Sequence, residues 1–375
     1  MILLSTKFFP PPIHKGLLTR TTLHQEMENG RMSGGKLALI SAPAGYGKSM
    51  LASSYVHLLT DSQFQTKVTS GWLSLDDEDN NPNQFLIYLA ACVQEATAEG
   101  NSLAIARSSP PPTPQIITTT ILNDLTDWGK PVILVLDDYQ VIRHTDIHQQ
   151  MSYFIDHLPP NVYLILCTRS DPPLPLHRYR SRGQMVEFRA DDLRFQQEEV
   201  QLFFNQISGL TLNLNETEIL FSRTEGWAAG IQLAALSVRG KNDVSAFIQS
   251  LSVTNRYILD YLTEEALNNQ PQTVQDFLIQ TAVLDRFCPP LCDAIIVRSI
   301  DLNPESPFKS SQDILQYLKQ TNLFIIPLDE QGFWQRYHHL FLDLLRIRLK
   351  EREQKEPGNI SDLHQRAAAW FEMQG

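Results

Sequence analysis

Residues 40–50, ISAPAGYGKSM, combine small residues, glycines, a lysine and a serine in an order that can hold phosphate. Gly45 and Gly47 can turn backbone N–H groups inward around phosphate oxygens, and a helix starting near Gly47 adds its partial positive charge. Lys48 would reach the β- and γ-phosphates of a nucleotide, and Ser49 would hold Mg²⁺. We therefore predict a phosphate-binding loop made of Ala44, Gly45, Tyr46, Gly47, Lys48, Ser49 and Met50.

One position departs from the usual pattern of such loops, G-x-x-x-x-G-K-[ST], because Ala42 stands at the first glycine. Alanine is the mildest replacement, provided that the position does not need a positive φ. The alternative is a chance Gly-Lys-Ser sequence after a turn. The apolar strand before the loop and the helix after it favour the phosphate loop.

A second run, PVILVLDDYQ at 131–140, is typical of a buried strand that ends in two carboxylates. In a P-loop enzyme the first carboxylate, here Asp137, orients Mg²⁺. The second, Asp138, is placed to activate the attacking water. Lys48 and Asp138 are therefore the candidate catalytic residues, and Ser49 and Asp137 are the candidate metal ligands. The alternative for Asp138 is a solvated turn residue.

Arginines follow a third apolar strand, VYLILC at 162–167. Arg169 would lie in the crevice where α/β sheets bind ligands, and there it could sense a γ-phosphate. The alternative is a surface arginine after a strand. Further along, Arg178, Arg180 and Arg182 alternate in PLHRYRSRGQ. One of them could pair with phosphate at a domain junction, but the alternation favours a basic edge strand.

Short apolar strands alternate with longer helical patterns between residues 37 and 190, which predicts a parallel sheet with helices on both faces. The proline-rich stretch at 108–114 is predicted to be a surface linker, since proline continues neither element. The predicted strands lie at 37–41, 71–75, 132–136, 162–167 and 184–188.

Helical patterns replace strands after residue 190, and a hairpin follows at 322–328 and 333–337, which outlines a winged helix. An amphipathic helix begins at 360 with nothing after it to pack against, so we expect the front portion of a longer protein. The predicted domains are an N-terminal segment at 1–30, a P-loop nucleotide-binding domain at 31–190, a helical subdomain at 191–245, a winged-helix domain at 246–350 and the start of a helical arm at 351–375.

The composition of the chain excludes several classes of protein. The 375 residues, 42% of them hydrophobic, suffice for two or three domains and exclude a fibrous or disordered chain. With 31 basic and 42 acidic residues the net charge is −11, which disfavours binding along a nucleic-acid backbone. The apolar runs are too short to span a bilayer and no secretory signal is recognisable, so we expect a cytoplasmic protein without a membrane partner.

The order of motifs along the chain resembles that of the MalT-like large ATP-binding LuxR-type regulators, which are STAND-class P-loop NTPases. The motifs are APAGYGKS, WLSLDDEDNNP, LVLDDYQ, CTRSDPPLPLHRYRSRGQ, LRFQQEEV, EGWAAGIQLAAL, YLTEEAL and YHHLFLDLLR. This resemblance covers essentially the whole chain. It implies a sheet of strand order 5-1-4-3-2, followed by a helical subdomain and a winged-helix domain.

The resemblance also implies a switch. ADP would hold a closed, resting form, and ATP with an inducer would open it to self-associate and activate transcription, with slow ATP hydrolysis. The inducer, a small molecule or a protein, would bind a region beyond this chain, and DNA would be contacted only through a C-terminal domain absent here. The alternatives are the same switch with a kinase-regulatory or defence output, or an ATPase that turns over continuously.

Specific residues carry over from the resemblance. Lys48, Ser49, Asp137, Asp138 and Arg169 match the family's Walker A, Walker B and sensor positions. Together they imply ATP or ADP as the bound nucleotide and Mg²⁺ as its metal.

Three further positions match less closely. In YHHLF the resemblance makes His338 a contact to the β-phosphate of ADP, although His339 replaces the family's next residue, an aspartate. The alternative is a histidine pair satisfied in a helix cap. Arg20 lies in a segment that passes near the base in this family, so it is a base- or ribose-side candidate or else a plain surface arginine. Related proteins often carry G-x-P under the nucleotide, whereas Gly230-Ile231-Gln232 lacks the proline.

Overall fold

A computed structural model of the chain describes residues 2–13, 17–60, 68–110, 112–238, 244–249, 256–296, 307–355 and 357–374. Pro111 of the predicted linker and residues 239–243 of the predicted helical subdomain lie outside the described residues. The chain divides into two compact units. The first comprises Met1–Ala42 and Tyr46–Leu193, and the second comprises Pro43–Gly45 and Arg194–Gly375.

Five parallel strands form the sheet of the first unit, in the order β2-β3-β4-β1-β5. Read from the other edge this is the predicted order 5-1-4-3-2, so the prediction is confirmed. The three central strands are buried along their whole length, as apolar parallel strands covered on both faces must be. The strands are β1 (Leu37–Ser41), β2 (Thr69–Ser74), β3 (Val132–Asp137), β4 (Val162–Thr168) and β5 (Met185–Phe188).

Helices connect these strands. Two of them begin with proline at the first helical position, where the missing N–H costs nothing. The helix that matters most for function begins at Lys48, directly after the phosphate loop. The helices are α1 (Thr21–Met32), α2 (Lys48–Thr60), α3 (Pro82–Thr97), α4 (Ser102–Ala106), α5 (Pro114–Trp128), α6 (Thr145–Asp156), α7 (Leu176–Ser181) and α8 (Ala190–Leu193).

The segment with the three alternating arginines is helical, so the predicted basic edge strand is wrong. Arg178 and Arg180 lie within α7, and Arg182 is the residue that caps its end. Leu176 and Tyr179 are buried at a spacing of three residues, which places them on one face of a helix. The first two arginines form ion pairs with carboxylates of the same unit.

The second unit is mainly helical, with one antiparallel hairpin of β6 (Ile325–Pro327) and β7 (Gln335–Tyr337). A π-helical turn, Thr263–Leu267, follows α13. The helices are α9 (Gln197–Ser208), α10 (Leu214–Thr224), α11 (Ala228–Val238), α12 (Val244–Gln249), α13 (Arg256–Leu262), α14 (Gln272–Thr281), α15 (Pro289–Ile295), α16 (Ser311–Gln320), α17 (His339–Lys355) and α18 (Asn359–Gln374). Within the described ranges, no helix of either unit has the length and apolar character needed to cross a membrane.

Candidate nucleotide-binding site

The loop between β1 and α2 has the backbone that phosphate binding requires. Gly45 and Gly47 have φ values of 77° and 81°, and no other residue from 42 to 47, all of which the structure describes, has a positive φ. Ala42 therefore occupies a position that does not need glycine, which removes the objection raised by the sequence. Because α2 begins at Lys48, its unsatisfied N–H groups and partial positive charge lie at the end of the loop.

The two predicted metal ligands are in contact. Ser49, in the first turn of α2, donates a hydrogen bond from Oγ to Oδ1 of Asp137 at 2.9 Å. Burial, followed by the neighbouring carboxylate of Asp138, raises the pKa of Asp137 to about 6. A hydroxyl and a carboxylate fit Mg²⁺, which binds few protein oxygens and completes its shell with phosphate and water. The described residues contain no cluster of three His, Cys, Asp or Glu side chains able to hold a metal alone.

Lys48 is buried, with 7% of its surface exposed. Burial lowers the pKa of its ammonium group to about 8; Cys167 and the two aspartates oppose this shift, and Arg169 adds to it. A buried cation in this state is stabilised by an anion placed beside it. The surroundings of Lys48 therefore suit a phosphate ligand.

Gln140 links two predicted site residues that lie on different strand ends. Its Nε2 donates to Oδ1 of Asp138 at 2.8 Å, and its Oε1 accepts from the backbone N–H of Arg169 at 2.9 Å. Asp138 itself has left-handed backbone angles, φ 59° and ψ 38°, a conformation that aspartate tolerates better than most residues. Gln140 ends the motif LVLDDYQ, but the sequence alone does not show which groups its amide reaches.

Arg20 contacts the end of α8 within the first unit. Its guanidinium donates to the backbone carbonyls of Leu193 and Asp192 at 3.0 and 3.2 Å. These carbonyls lie at the C-terminal end of α8, where a cation is favourable. The structure therefore gives Arg20 a capping role, and its contact with a base or ribose stays a prediction.

His338 lies in the second unit, between β7 and α17, with 1% of its surface exposed. Its Nε2 is 2.9 Å from the carbonyl oxygen of Thr224, and because a carbonyl can only accept, Nε2 carries the proton. Its Nδ1 has no hydrogen-bond partner among the described residues. Burial lowers the pKa of His338 to about 4, so the ring is neutral near pH 7.

Beside His338, Glu225 forms a complete buried ion pair. Both carboxylate oxygens accept from Arg336 at 2.9 Å, and one also accepts from the backbone N–H of His339 at 3.0 Å. Burial alone would raise the pKa of Glu225, but these donors outweigh it and lower the pKa to about 2. His339, at the position where the resemblance expects aspartate, therefore faces an acid and is half exposed.

Comparison with known proteins identifies a matching domain family and similar proteins. Residues 263–357 match the family described as the MalT winged helix domain, which confirms the predicted winged helix. The HTH-type transcriptional regulator MalT of Yersinia enterocolitica is 33% identical over 343 residues, which are 90% of this chain and 36% of that protein. The regulator of the same description from Cronobacter sakazakii is 30% identical over 375 residues, which cover 98% of this chain and 39% of that protein.

A solved structure supports the fold. A Walker-type ATPase of Pyrococcus abyssi superimposes with a TM-score of 0.58 at 15% identity, over 88% of this chain and 96% of that one. At this level of identity the likeness concerns the fold alone, and it agrees with the predicted α/β P-loop architecture. This chain spans little more than a third of the length of the curated relatives that it matches. Over the residues that it spans, the chain is similar to the MalT regulators, and residues 263–357 match their winged helix domain.

Proposed function

We propose that this chain is the nucleotide-binding switch module of a transcriptional regulator, which binds ATP or ADP with Mg²⁺ and hydrolyses ATP slowly. One observation carries the proposal. At the carboxyl end of β3, Asp137 accepts a hydrogen bond from Ser49, and the buried Lys48 stands beside them with a pKa lowered to about 8. Two candidate metal ligands and a candidate phosphate-binding cation are thus adjacent.

Each group has a distinct role in this proposal. The N–H groups of the glycine loop and the ammonium of Lys48 hold the phosphates, and Ser49 and Asp137 hold Mg²⁺. When bound, Mg²⁺ would neutralise charge on the phosphate oxygens. Asp138 takes the proton of the attacking water, and Arg169 stabilises negative charge on the γ-phosphate. Gln140 holds the side chain of Asp138 and the backbone of Arg169 in fixed positions through its two hydrogen bonds.

His338 is proposed to contact the β-phosphate of ADP in the resting state. Its unpartnered Nδ1 supports this role, since a buried ring nitrogen without a partner favours a ligand that supplies one. Because Nε2 already donates to Thr224, Nδ1 can donate to phosphate only when the ring is protonated. The phosphate charge would therefore have to raise the pKa of His338, and ADP binding would take up a proton.

The regulatory side of the proposal follows the MalT relatives, whose printed description is transcriptional regulation. Self-association in the ATP state, an inducer bound beyond this chain and DNA bound through a further C-terminal domain belong to the proposal. The winged helix itself is a poor DNA reader, because α16 has a single basic residue, Lys319. The ammonium of Lys319 donates to the carbonyl of Gly332 in the hairpin turn at 2.8 Å.

The test is to purify the chain, denature it and identify the released nucleotide by chromatography. We expect about one equivalent of ADP or ATP from the parent chain, and none from Lys48→Ala, because the loop loses its phosphate-binding cation. Lys130→Ala, at an exposed lysine of the same unit, is the control and should release as much as the parent. Lys48→Ala that retains nucleotide as well as the parent would contradict the proposal.

Output and turnover need a separate measurement. A switch hydrolyses ATP slowly and changes its oligomeric state between ADP and ATP, which sedimentation velocity detects. Rapid hydrolysis with no change of oligomeric state would favour the continuously working ATPase.

A further inference from the structure

The first residues of the phosphate loop, Pro43–Gly45, belong to the second unit, where Trp227 and Ala229 contact them. The indole Nε1 of Trp227 donates to the carbonyl of Ala44 at 3.0 Å, and this bond is buried. The N–H of Ala229, in the first turn of α11, donates to the carbonyl of Gly45 at 2.9 Å. Two consecutive carbonyls of the loop are therefore held by two donors that lie two residues apart.

These two bonds also set the direction of the loop's N–H groups. In a planar trans peptide the C=O and the N–H point to opposite sides. The carbonyl of Ala44 shares its peptide with the N–H of Gly45, and the carbonyl of Gly45 shares its peptide with the N–H of Tyr46. Holding the two carbonyls towards α11 therefore turns the N–H groups of Gly45 and Tyr46 away from it, as an anion-binding loop requires.

The fit around the indole leaves no room for larger residues. A Cβ added to Gly45 would lie 2.6 Å from Cβ of Ala229, 2.7 Å from Nε1 of Trp227 and 3.0 Å from the hydroxyl of Tyr261. A Cβ added to Gly230 would lie 2.5 Å from the Trp227 ring. Glycine is thus needed on both sides of the indole, which explains Gly230 in a helix without any nucleotide-binding G-x-P motif.

The ring of Trp227 also contacts the winged-helix hairpin within the second unit. Its centroid lies 5.4 Å from that of Phe324, which precedes β6, and 6.0 Å from that of His338, which follows β7. The backbone N–H of His338 donates to the carbonyl of Phe324 at 2.9 Å, so the two ends of the hairpin form one surface. Trp227 is fully buried between this surface and Ala44.

We propose that Trp227 is a positioning residue for nucleotide binding: its indole N–H holds the phosphate loop in the binding conformation, and its ring couples the loop to His338. This inference rests on the proposed function of the loop. A phosphate that shifts the loop shifts the Ala44 carbonyl, and the indole bonded to that carbonyl moves against Phe324 and His338. Trp227 itself touches no phosphate.

The first experiment compares Trp227→Phe with Trp72→Phe by calorimetric titration with ADP and with inorganic pyrophosphate. Phenylalanine keeps an aromatic ring and removes the donor to Ala44, so we expect both ligands to bind about tenfold more weakly. Trp72 is the matched control, since it is also buried and also donates from Nε1, to Oγ of Ser74 at 2.9 Å. Trp72→Phe should leave both affinities unchanged, and equal losses in the two variants would mean a purely structural effect and overturn the inference.

The second experiment uses the parent chain, so its result does not depend on whether a variant folds. With nitrogen-15-labelled tryptophan, the indole N–H signal of Trp227 should shift when ADP or pyrophosphate is added, while that of Trp72 should not. A Trp227 signal that stays in place at saturating ADP overturns the inference and leaves the nucleotide-binding proposal intact. A parent chain that binds neither ligand overturns the proposed function, and the inference with it.

Discussion

Two ionisable clusters, one in each unit, balance their charges in opposite ways. In the first unit, burial moves the pKa of Lys48 down to about 8 and that of Asp137 up to about 6, so both groups are displaced towards their neutral forms. In the second unit the hydrogen bonds from Arg336 lower the pKa of Glu225 to about 2, against the effect of burial. Burial therefore dominates the pKa shifts of the first cluster, whereas hydrogen bonds outweigh burial in the second.

This difference suits a ligand site in the first unit and a structural joint in the second, where the joint is the Glu225–Arg336 pair. A cluster whose charges are penalised by burial gains free energy when a ligand of suitable charge arrives, and Lys48 with Asp137 would gain it from phosphate and Mg²⁺. The Glu225–Arg336 pair has nothing to gain from a ligand, and it fixes the end of α10 to the winged-helix hairpin. His338 stands next to this joint as a neutral ring.

The largest effect is expected from Asp138→Asn. An amide cannot take a proton from water, so ATP hydrolysis should fall about 10²–10⁴-fold while ATP and ADP still bind. The measurement is single-turnover hydrolysis of ATP alongside a binding titration. Asp127→Asn, at an exposed aspartate of the same unit, is the control and should hydrolyse ATP at the parent rate. Unchanged hydrolysis in Asp138→Asn would return Asp138 to the alternative of a turn residue.

The next effect concerns the joint rather than the ligand site. Glu225→Gln removes the buried carboxylate and leaves Arg336 without its charge partner, so the free energy of unfolding should fall by about 2–3 kcal/mol. Arg336 is one-quarter exposed, which keeps the expected loss below that of a fully buried pair. Urea unfolding measures it. The control is Arg256→Gln in an exposed pair with Asp260, where a loss below about 0.5 kcal/mol is expected.

Lowering the pH should remove the stability that the Glu225–Arg336 pair contributes. The pKa of Glu225 is lower in the folded chain than its ordinary value of 4.5, so its contribution is fully present above pH 4.5 and is lost as the pH falls towards 2. Glu225→Gln should lack this part of the acid sensitivity. If the parent and the variant lose stability in parallel between pH 4.5 and 2, the ion pair is not what stabilises the joint.

A smaller effect is expected on the pH dependence of ADP affinity, through Lys48 and Asp137. In His338→Gln, which removes the proton uptake expected at His338, affinity for ADP with Mg²⁺ should be greatest between about pH 6 and pH 8. Above pH 8 the free chain loses the proton of Lys48, so binding must take one up and weakens by up to about tenfold per pH unit. Below pH 6 protonated Asp137 competes with Mg²⁺.

Calorimetric titrations across this pH range, with and without Mg²⁺, test both limbs. ADP has a phosphate that titrates near pH 6 itself, so a control is required on the acid side. Asp137→Asn, added to His338→Gln, provides it, because only the part of the acid limb that comes from the carboxylate should disappear. An alkaline limb that is absent in His338→Gln would mean that the Lys48 ammonium does not bind phosphate.

Sequence reasoning located the first cluster because its residues are adjacent in the chain or follow apolar strands. The phosphate loop and the aspartate pair depend on local patterns that a buried parallel sheet enforces, whereas the strand order followed from the family resemblance. The alternation of the three arginines near α7 imitates a strand, whereas the buried Leu176 and Tyr179 have helical spacing. Both patterns were present, and the buried pair decided the conformation.

Residues that act through distant contacts were not predictable. Gln140 matters because the chain brings Asp138 and the backbone of Arg169 within reach of one amide, and no spacing in the sequence encodes that meeting. Trp227 reaches the Ala44 carbonyl across 183 positions of the chain. Such contacts depend on the packing within each folded unit, so a single sequence shows the residue types but not their partners.

The smallest expected effect falls on Arg20, where the sequence and the structure suggest different roles. Arg20→Ala removes two donors to the carbonyls that end α8, so the free energy of unfolding should fall by about 0.5–1.5 kcal/mol with no change in ADP affinity. Arg107→Ala, at an exposed arginine of the same unit, controls for the loss of charge and should change neither quantity. A loss of ADP affinity without a loss of stability would instead support the base-side contact. The capping role predicts the reverse, because backbone carbonyls at a helix end need donors whether or not a nucleotide is bound.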